Sequence, residues 1–177
     1  MPPHTITPKD CKACESCACR LLARREHSTL ELKRKLHAKE FLKTDITSVI
    51  ERLYNNGLQS DQRFAECYTR MRIGRGCGPV RLRLELRERG VAEELINDAL
   101  KPYADKWTSI AERIYHKRFG SEDSEDAENG RGDGAKKYSI TKQKQIRFLI
   151  HKGFDNEQIN KMLTSIAALK PKFKAKT

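Results

Sequence analysis

The chain repeats itself, and the repeat limits the fold more than any other feature. If Phe41, Val91 and Phe154 are taken as equivalent points, each has a leucine five residues before it (Leu36, Leu86, Leu149) and an isoleucine five after it (Ile46, Ile96, Ile159). Val49, Ala99 and Met162 follow at eight residues, and Ile50, Leu100 and Leu163 at nine. Apolar residues stepped this way trace one face of a helix. The step from the leucine to the marked residue crosses a turn. Self-similarity at such a period is the signature of a repeat architecture.

The marked residues lie 50 and then 63 residues apart, and the surplus matches a stretch of different character at residues 121–135. That stretch has six carboxylates against one arginine and no aromatic residue. It cannot bury apolar surface, so it reads as a disordered acidic insertion. The match also extends upstream. At an offset of 50, Cys14, Cys17, Ala18 and Leu21 align with Phe64, Cys67, Tyr68 and Met71, one predicted helix face. Trp107, Ile110, Ala111 and Ile114 supply the comparable stripe in the third copy.

The expected fold is therefore all-α: three tandem three-helix repeats forming an elongated, curved helical array, in which stacked neighbours share a core. The repeats span residues 10–59, 60–105 and 106–169. A flexible N-terminal tail, residues 1–9, precedes them, and a basic C-terminal tail, residues 170–177, follows. Valine occurs only at 49, 80 and 91, and between Lys9 and Lys170 there are only two prolines. That leaves long Leu, Arg, Glu and Lys windows that favour helix.

Local signals place the helix ends. Ser28 with Glu31 forms a capping box before Leu32. Gly78-Pro79 puts proline at a first helical position. Ser28, Gly78 and Thr141, each 13 residues before a marked residue, are the predicted caps. Six glycines, at 57, 74, 76, 90, 120 and 153, fall between periodic segments, where a left-handed backbone is cheap for glycine. Glu40 stands where the other copies have Gly90 and Gly153, so that turn is expected to differ. Pro102 should end the preceding helix near Leu100.

Cys11, Cys14, Cys17 and Cys19 form C-x2-C-x2-C-x-C, which raises a zinc or iron–sulfur reading. The spacing suits structural zinc poorly, because such sites use two well-separated ligand pairs. Cys14 and Cys17 also fall on core positions of the repeat, where a small buried thiol is common. Core packing with incidental surface thiols is the expectation, with no metal and no cofactor. Cys67 and Cys77 read as structural.

No Walker A loop, G-x-S-x-G or H-E-x-x-H occurs, and the five histidines make no ligand pair at helical spacing. Gly74-Arg-Gly-Cys-Gly78 resembles a phosphate-cradling turn only loosely and reads as a helix–helix connection. An enzyme is not expected. The longest apolar run is four residues, Ile166 to Leu169, so no segment spans a membrane and a cytoplasmic protein is the default.

Charge is the remaining guide. The chain carries 36 Lys and Arg against 24 Asp and Glu, a net charge of +12, which favours polyanionic partners. Two clusters stand out. Arg70, Arg72, Arg75, Arg81, Arg83 and Arg87 suit carboxylates on a protein partner, because guanidinium binds them bidentately. Lys136, Lys137, Lys142, Lys144, Arg147 and Lys152 suit DNA phosphates. The acidic insertion beside the second cluster could compete with DNA for it.

Three motifs are similar to those of the RecX regulatory proteins. The first is Leu21-Leu22-Ala23-Arg24-Arg25-Glu26-His27-Ser28 with Glu31-Leu32 and Lys35-Leu36. The second is Gly57-Leu58, Asp61, Arg63-Phe64-Ala65-Glu66 and Tyr68. The third is Gly78, Arg81, Glu85-Leu86 and Gly90-Val91. Arg147-Phe148-Leu149 and Gly153-Phe154 extend the likeness more faintly. The cysteine cluster and the acidic insertion depart from the family pattern.

The resemblance implies three tandem three-helix units. It also implies a partner, the RecA recombinase filament on single-stranded DNA, with double-stranded DNA as a second nucleic-acid partner. It further implies a regulatory role in DNA recombination, repair and the SOS response, most simply as an inhibitor acting as a monomer away from membranes. A nucleic-acid binder without a recombinase partner is the alternative reading, and a helical adaptor for another protein is a third.

Overall fold

The computed structural model describes residues 8–120 and 134–169, and the described residues form nine α-helices and no strand. They are α1 Pro8–Leu22, α2 Thr29–His37, α3 Lys43–Asn55, α4 Asp61–Gly74, α5 Pro79–Glu88, α6 Glu93–Leu100, α7 Trp107–Phe119, α8 Gly134–Lys152 and α9 Asn156–Leu169. A 3₁₀ segment, Lys101–Lys106, follows α6, which ends at Leu100 ahead of Pro102. Pro8 and Lys9 lie in α1, and Gly134 and Ala135 in α8. The rest of both tails and of the acidic insertion lies outside the described residues.

The repeat is visible as burial. Leu36, Leu86 and Leu149 are completely buried, and Ile46, Ile96 and Ile159 nearly so. Val49, Ala99 and Met162 are buried as well. Burying each large side chain contributes roughly 1.5–3 kcal/mol. The turns repeat too. Glu40, Gly90 and Gly153 all take left-handed backbones, with φ of 65°, 75° and 92°. Their N–H groups donate to the carbonyls of His37, Arg87 and Ile150, each at 2.9 Å. The turn at Glu40 shares that residue geometry but differs, as expected, in one bond: Val91 and Phe154 N–H donate to the Leu86 and Leu149 carbonyls at 3.1 Å, and Phe41 makes no such bond among the described residues. The helix-pair geometry demands a left-handed residue there, and glutamate adopts it despite the steric cost.

Four expectations need correction. Thr141 is no cap: α8 runs through it from Gly134, because no proline or glycine interrupts residues 135–152. Gly74 ends α4 without a positive φ and Gly120 has φ −61°, since both continue a right-handed turn. On α4 the buried positions are Phe64, Ala65, Thr69 and Ile73, whereas Cys67 is exposed and Met71 largely so. Small Ala65 and Thr69 carry the inner face, which a count of large apolar residues overlooks. The Ser28 capping box is half formed. Ser28 Oγ accepts from Glu31 N–H at 3.1 Å, but the Glu31 carboxylate turns to Arg25 and Arg89. A reciprocal box appears instead at α9, between Asp155 and Gln158.

The chain forms two compact units. The first runs to Arg70 and adds Glu85–Ala99; the second takes Met71–Leu84 and the chain from Leu100 on. The middle copy is thus divided, with boundaries inside α4, inside α5 and at the end of α6. In the first unit α1, α2 and α3 pack on one another around Cys14, Cys17, Ala18, Leu32, Leu36, Ile46, Val49, Ile50 and Leu53. In the second, α7, α8 and α9 do the same, with Tyr115, Phe119 and Phe148 in successive ring contact.

Candidate functional site

In the second unit, residues 71–84 contain four arginines and no carboxylate. Helix α8 contains six Lys and Arg, with His151, and again no carboxylate. The fold joins these two segments backbone to backbone. Gly78 N–H donates to the Lys152 carbonyl at 2.8 Å, and Val80 N–H donates to the Gly153 carbonyl at 3.0 Å. A Cβ on Gly78 would fall on the Gly153 carbonyl, and one on Gly153 on the Arg81 backbone. Arg81 Nη1 donates to the His151 carbonyl at 3.3 Å. Only two glycines allow an approach this close.

The loop at Gly74–Gly78 is no phosphate cradle. The N–H groups of Arg75, Gly76, Cys77 and Gly78 donate to carbonyls within this unit. It acts as the helix–helix connection its sequence suggested. Arg72 Nη2 lies 3.8 Å from Cys77 Sγ, and Arg113 Nη2 donates to the Ile73 carbonyl at 3.4 Å. Arg75, Lys142, Lys144 and Arg147 are exposed, while Arg72, Arg81 and Arg83 are half-buried. Lys152 Nζ sits 5.4 Å from the centre of the Phe148 ring, a cation–π contact. The side chains of Lys136 and Lys137 lie outside the described residues. The structure thus brings Arg72, Arg75, Arg81 and Arg83 into one unit with the α8 cluster.

Arg70 and Arg87 belong to the first unit. Arg70 is exposed, with Nη2 4.0 Å from Cys67 Sγ. Arg87 grips Glu93 with two bonds, 2.8 and 2.9 Å, which hold its guanidinium more firmly protonated. A basic site that the sequence reading missed also lies in the first unit. A groove of about 490 Å³ between α2 and α3 is lined by Lys33, Arg34, His37 and Lys43 over Ile46 and Thr47. Lys33, Arg34 and Lys43 form no ion pair among the described residues. A count of net charge over residues 10–59 hides it, because none of the carboxylates there lines the groove.

The family-like motifs supply Gly78, Arg81 and Gly153 to that junction, and their other polar residues form a joint within the first unit. Ser28 Oγ donates to the Arg89 carbonyl at 2.7 Å. Asp61 Oδ1 accepts from Thr29 N–H at 2.7 Å and from Gln59 Nε2 at 2.9 Å. Arg63 pairs with Glu26 and Arg25 with Glu31, both at 2.9 Å. Arg89 lies over the Tyr68 ring at 4.5 Å, Nε 3.4 Å from Glu31, and donates to the Glu85 carbonyl at 2.7 Å. Burial pushes the His27 imidazole below its ordinary range.

Of the four N-terminal cysteines, Cys14 and Cys17 are buried in the core, Cys11 is half-buried and Cys19 exposed. Among the described residues no group of three His, Cys, Asp or Glu is placed to hold a metal ion. Nor is any described helix long and apolar enough to cross a membrane.

Comparison with known proteins agrees with this architecture. Residues 14–53 match the first three-helix domain of RecX, and residues 60–100 the second. The regulatory protein RecX of Legionella pneumophila strain Corby is 37% identical over 150 residues, 84% of this chain and 91% of the relative. That of Chromohalobacter salexigens is 39% identical over 142 residues, 80% and 85% of the two chains. The crystal structure of RecX from Lactobacillus salivarius superposes with a TM-score of 0.75 at 21% identity, covering 92% of this chain and all of that one. With two family domains in sequence and relatives alike over most of their length, the chain belongs to the RecX family of regulatory proteins.

Proposed function

We propose that this chain binds the RecA filament on single-stranded DNA and lowers its recombinase, ATPase and co-protease activity. It would act as a cytoplasmic monomer in recombination, repair and the SOS response. Beyond family membership, the reading rests on the meeting of two carboxylate-free basic segments at Gly78 and Gly153. Arg72, Arg75, Arg81 and Arg83 suit carboxylates of the filament protein, and Lys142, Lys144, Arg147 and Lys152 suit DNA phosphates. Lys136 and Lys137 extend the second group in sequence. Arg70 is a further candidate contact, whereas Arg87 is already held by Glu93.

The test is DNA-dependent ATP hydrolysis by the cognate RecA filament, with this protein titrated in at saturating DNA. Binding to free DNA is measured at the same salt. Inhibition well below the concentration that coats free DNA supports the filament reading. The unpaired cations of the α2–α3 groove favour a second reading, a nucleic-acid binder without a recombinase partner. That reading gains if activity falls only as the DNA becomes occupied. No effect on either would leave an adaptor for another protein.

A further inference from the structure

The groove between α2 and α3 lies wholly in the first unit, and the fold does not account for all of its charge. Arg34 and His37 stand in the last turn of α2, where the negative end of the helix welcomes cations. Lys33 precedes that turn. Lys43 opens α3, at the positive end of a helix, where a cation is disfavoured. Both lysines are exposed and form no ion pair among the described residues. Nor does a carboxylate line the groove. Between the cations its walls are mainly apolar, over a buried Ile46 with Ala38 and Thr47 also lining it. The volume of about 490 Å³ falls within the roughly 300–1,000 Å³ of clefts that hold ligands.

We propose that this groove docks an acidic amphipathic segment of the recombinase, with an apolar side chain over Ile46 and carboxylates against Lys33, Arg34 and Lys43. The inference rests on the filament reading above and gives that partner a point of attachment on the first unit. Cations alone suit phosphate as well as carboxylate. The apolar floor decides between them. A phosphodiester chain gains nothing from such a floor, and no Phe, Tyr or Trp lines the groove for a base to stack on. An amphipathic helix laid between two helices uses both features, its apolar face for affinity and its flanking charges for register.

Lys43 separates docking from folding. A carboxylate docked beside it offsets the unfavourable charge that it places at the helix start. In the free protein that offset is missing. Lys43→Glu should therefore raise the melting temperature of the free protein while weakening docking. A lysine kept only for the fold would not show that trade.

The test uses the full chain and the cognate RecA filament at saturating single-stranded DNA. Inhibition of ATP hydrolysis is the readout, and binding to free DNA is measured at the same salt. Lys33→Glu with Lys43→Glu should raise the half-inhibiting concentration about tenfold or more and change affinity for free DNA far less. Thr47→Trp fills the groove without altering charge, and should weaken inhibition several-fold. Benzoylphenylalanine in place of Ala38 should crosslink to the recombinase, on a peptide whose carboxylates flank an apolar residue. Circular dichroism establishes that each variant is folded. The proposal is overturned if folded variants inhibit as well as the wild type, if the lysine variant loses DNA affinity and inhibition in step, or if the crosslink falls on DNA. The last two outcomes would make the groove a nucleic-acid tract. A wild-type chain that leaves the filament unaffected would sink the filament reading itself, and this docking with it.

Discussion

The two units arrange their cations differently. In the first, Arg25, Arg63, Arg87 and Arg89 each meet a carboxylate, and three of these pairs close the joint around Ser28. In the second, the basic residues gather on two segments that contain no acid, and the described contacts of Arg81 and Arg113 are to backbone carbonyls. In the first unit Arg52 adds a further such pair, with Glu15, whereas Lys33, Arg34 and Lys43 of the groove make none among the described residues. In the second unit the two basic segments meet backbone to backbone, at Gly78 and Gly153. The residues that carry the family likeness thus build both the ion-paired joint of the first unit and the backbone junction of the second.

The strongest way to break this contrast is to part the two basic segments. Gly153→Ala places a Cβ on the Arg81 backbone at a residue with φ of 92°. The cost should be about 3 kcal/mol or more, enough to unfold the second unit at moderate temperature. Hydrogen exchange should show α8 and α9 losing protection while α1, α2 and α3 keep theirs. Equal loss in both units would show that they do not unfold separately.

Next comes the joint. Arg89→Leu takes the Arg89 bond from the Glu85 carbonyl, leaves Glu31 with Arg25 alone and removes the cation over Tyr68. A loss of about 2–3 kcal/mol is expected in denaturant titration. Lys142→Glu with Lys144→Glu should do the reverse. Both side chains are exposed, so stability should stay within about 0.5 kcal/mol. Affinity for single-stranded DNA should fall about tenfold or more and lose part of its salt dependence. If the Arg89 variant loses DNA binding while folded, or the lysine variant loses stability, the division of labour is wrong.

Acid should weaken the first unit selectively. His27 is buried, and burial, outweighing its bond to the Arg25 carbonyl, lowers its folded pKa below the ordinary 6.5. The unfolded chain then binds the proton more readily. Stability is fully present above about pH 6.5 and falls as pH drops toward the folded value. A His27→Gln variant should show a flatter melting temperature between pH 7.5 and roughly 5.5. An equal slope in both proteins would remove His27 as the cause.

Much of this fold was legible because burial follows a spacing. Leu36, Ile46 and Val49, with their counterparts, lie inside because helices three to four residues per turn must present them together. The inner face of α4 was not legible, since Ala65 and Thr69 are too small to announce a core. Nor was the use of each arginine. Arg81 and Arg89 stand in the same arginine-rich stretch of sequence, and partners such as the His151 carbonyl and Glu31 separate them. Those partners lie 70 and 58 positions away, beyond the reach of any local pattern.

Glu40 offers the smallest effect and the finest test of the repeat. It holds the left-handed turn that Gly90 and Gly153 hold in the other copies, with the same 2.9 Å bond to the carbonyl three residues back. An L side chain in that region costs about 1–2 kcal/mol, because Cβ approaches the following carbonyl. Glycine removes that strain but adds freedom to the unfolded chain, worth roughly 0.5–1 kcal/mol. Glu40 makes no ion pair among the described residues, so little else is lost. Glu40→Gly should therefore stabilise the first unit by up to about 1 kcal/mol, raising the melting temperature by roughly 2–4 °C. Gly90→Glu, at the matching turn, should destabilise by more, because its Cβ would press on Leu30 at 2.9 Å. Opposite signs from matching positions would show that the left-handed residue is needed in both turns and that crowding by a neighbour sets the cost of a side chain there. A destabilised Glu40→Gly would mean that the glutamate side chain supports the turn in a way its backbone does not reveal.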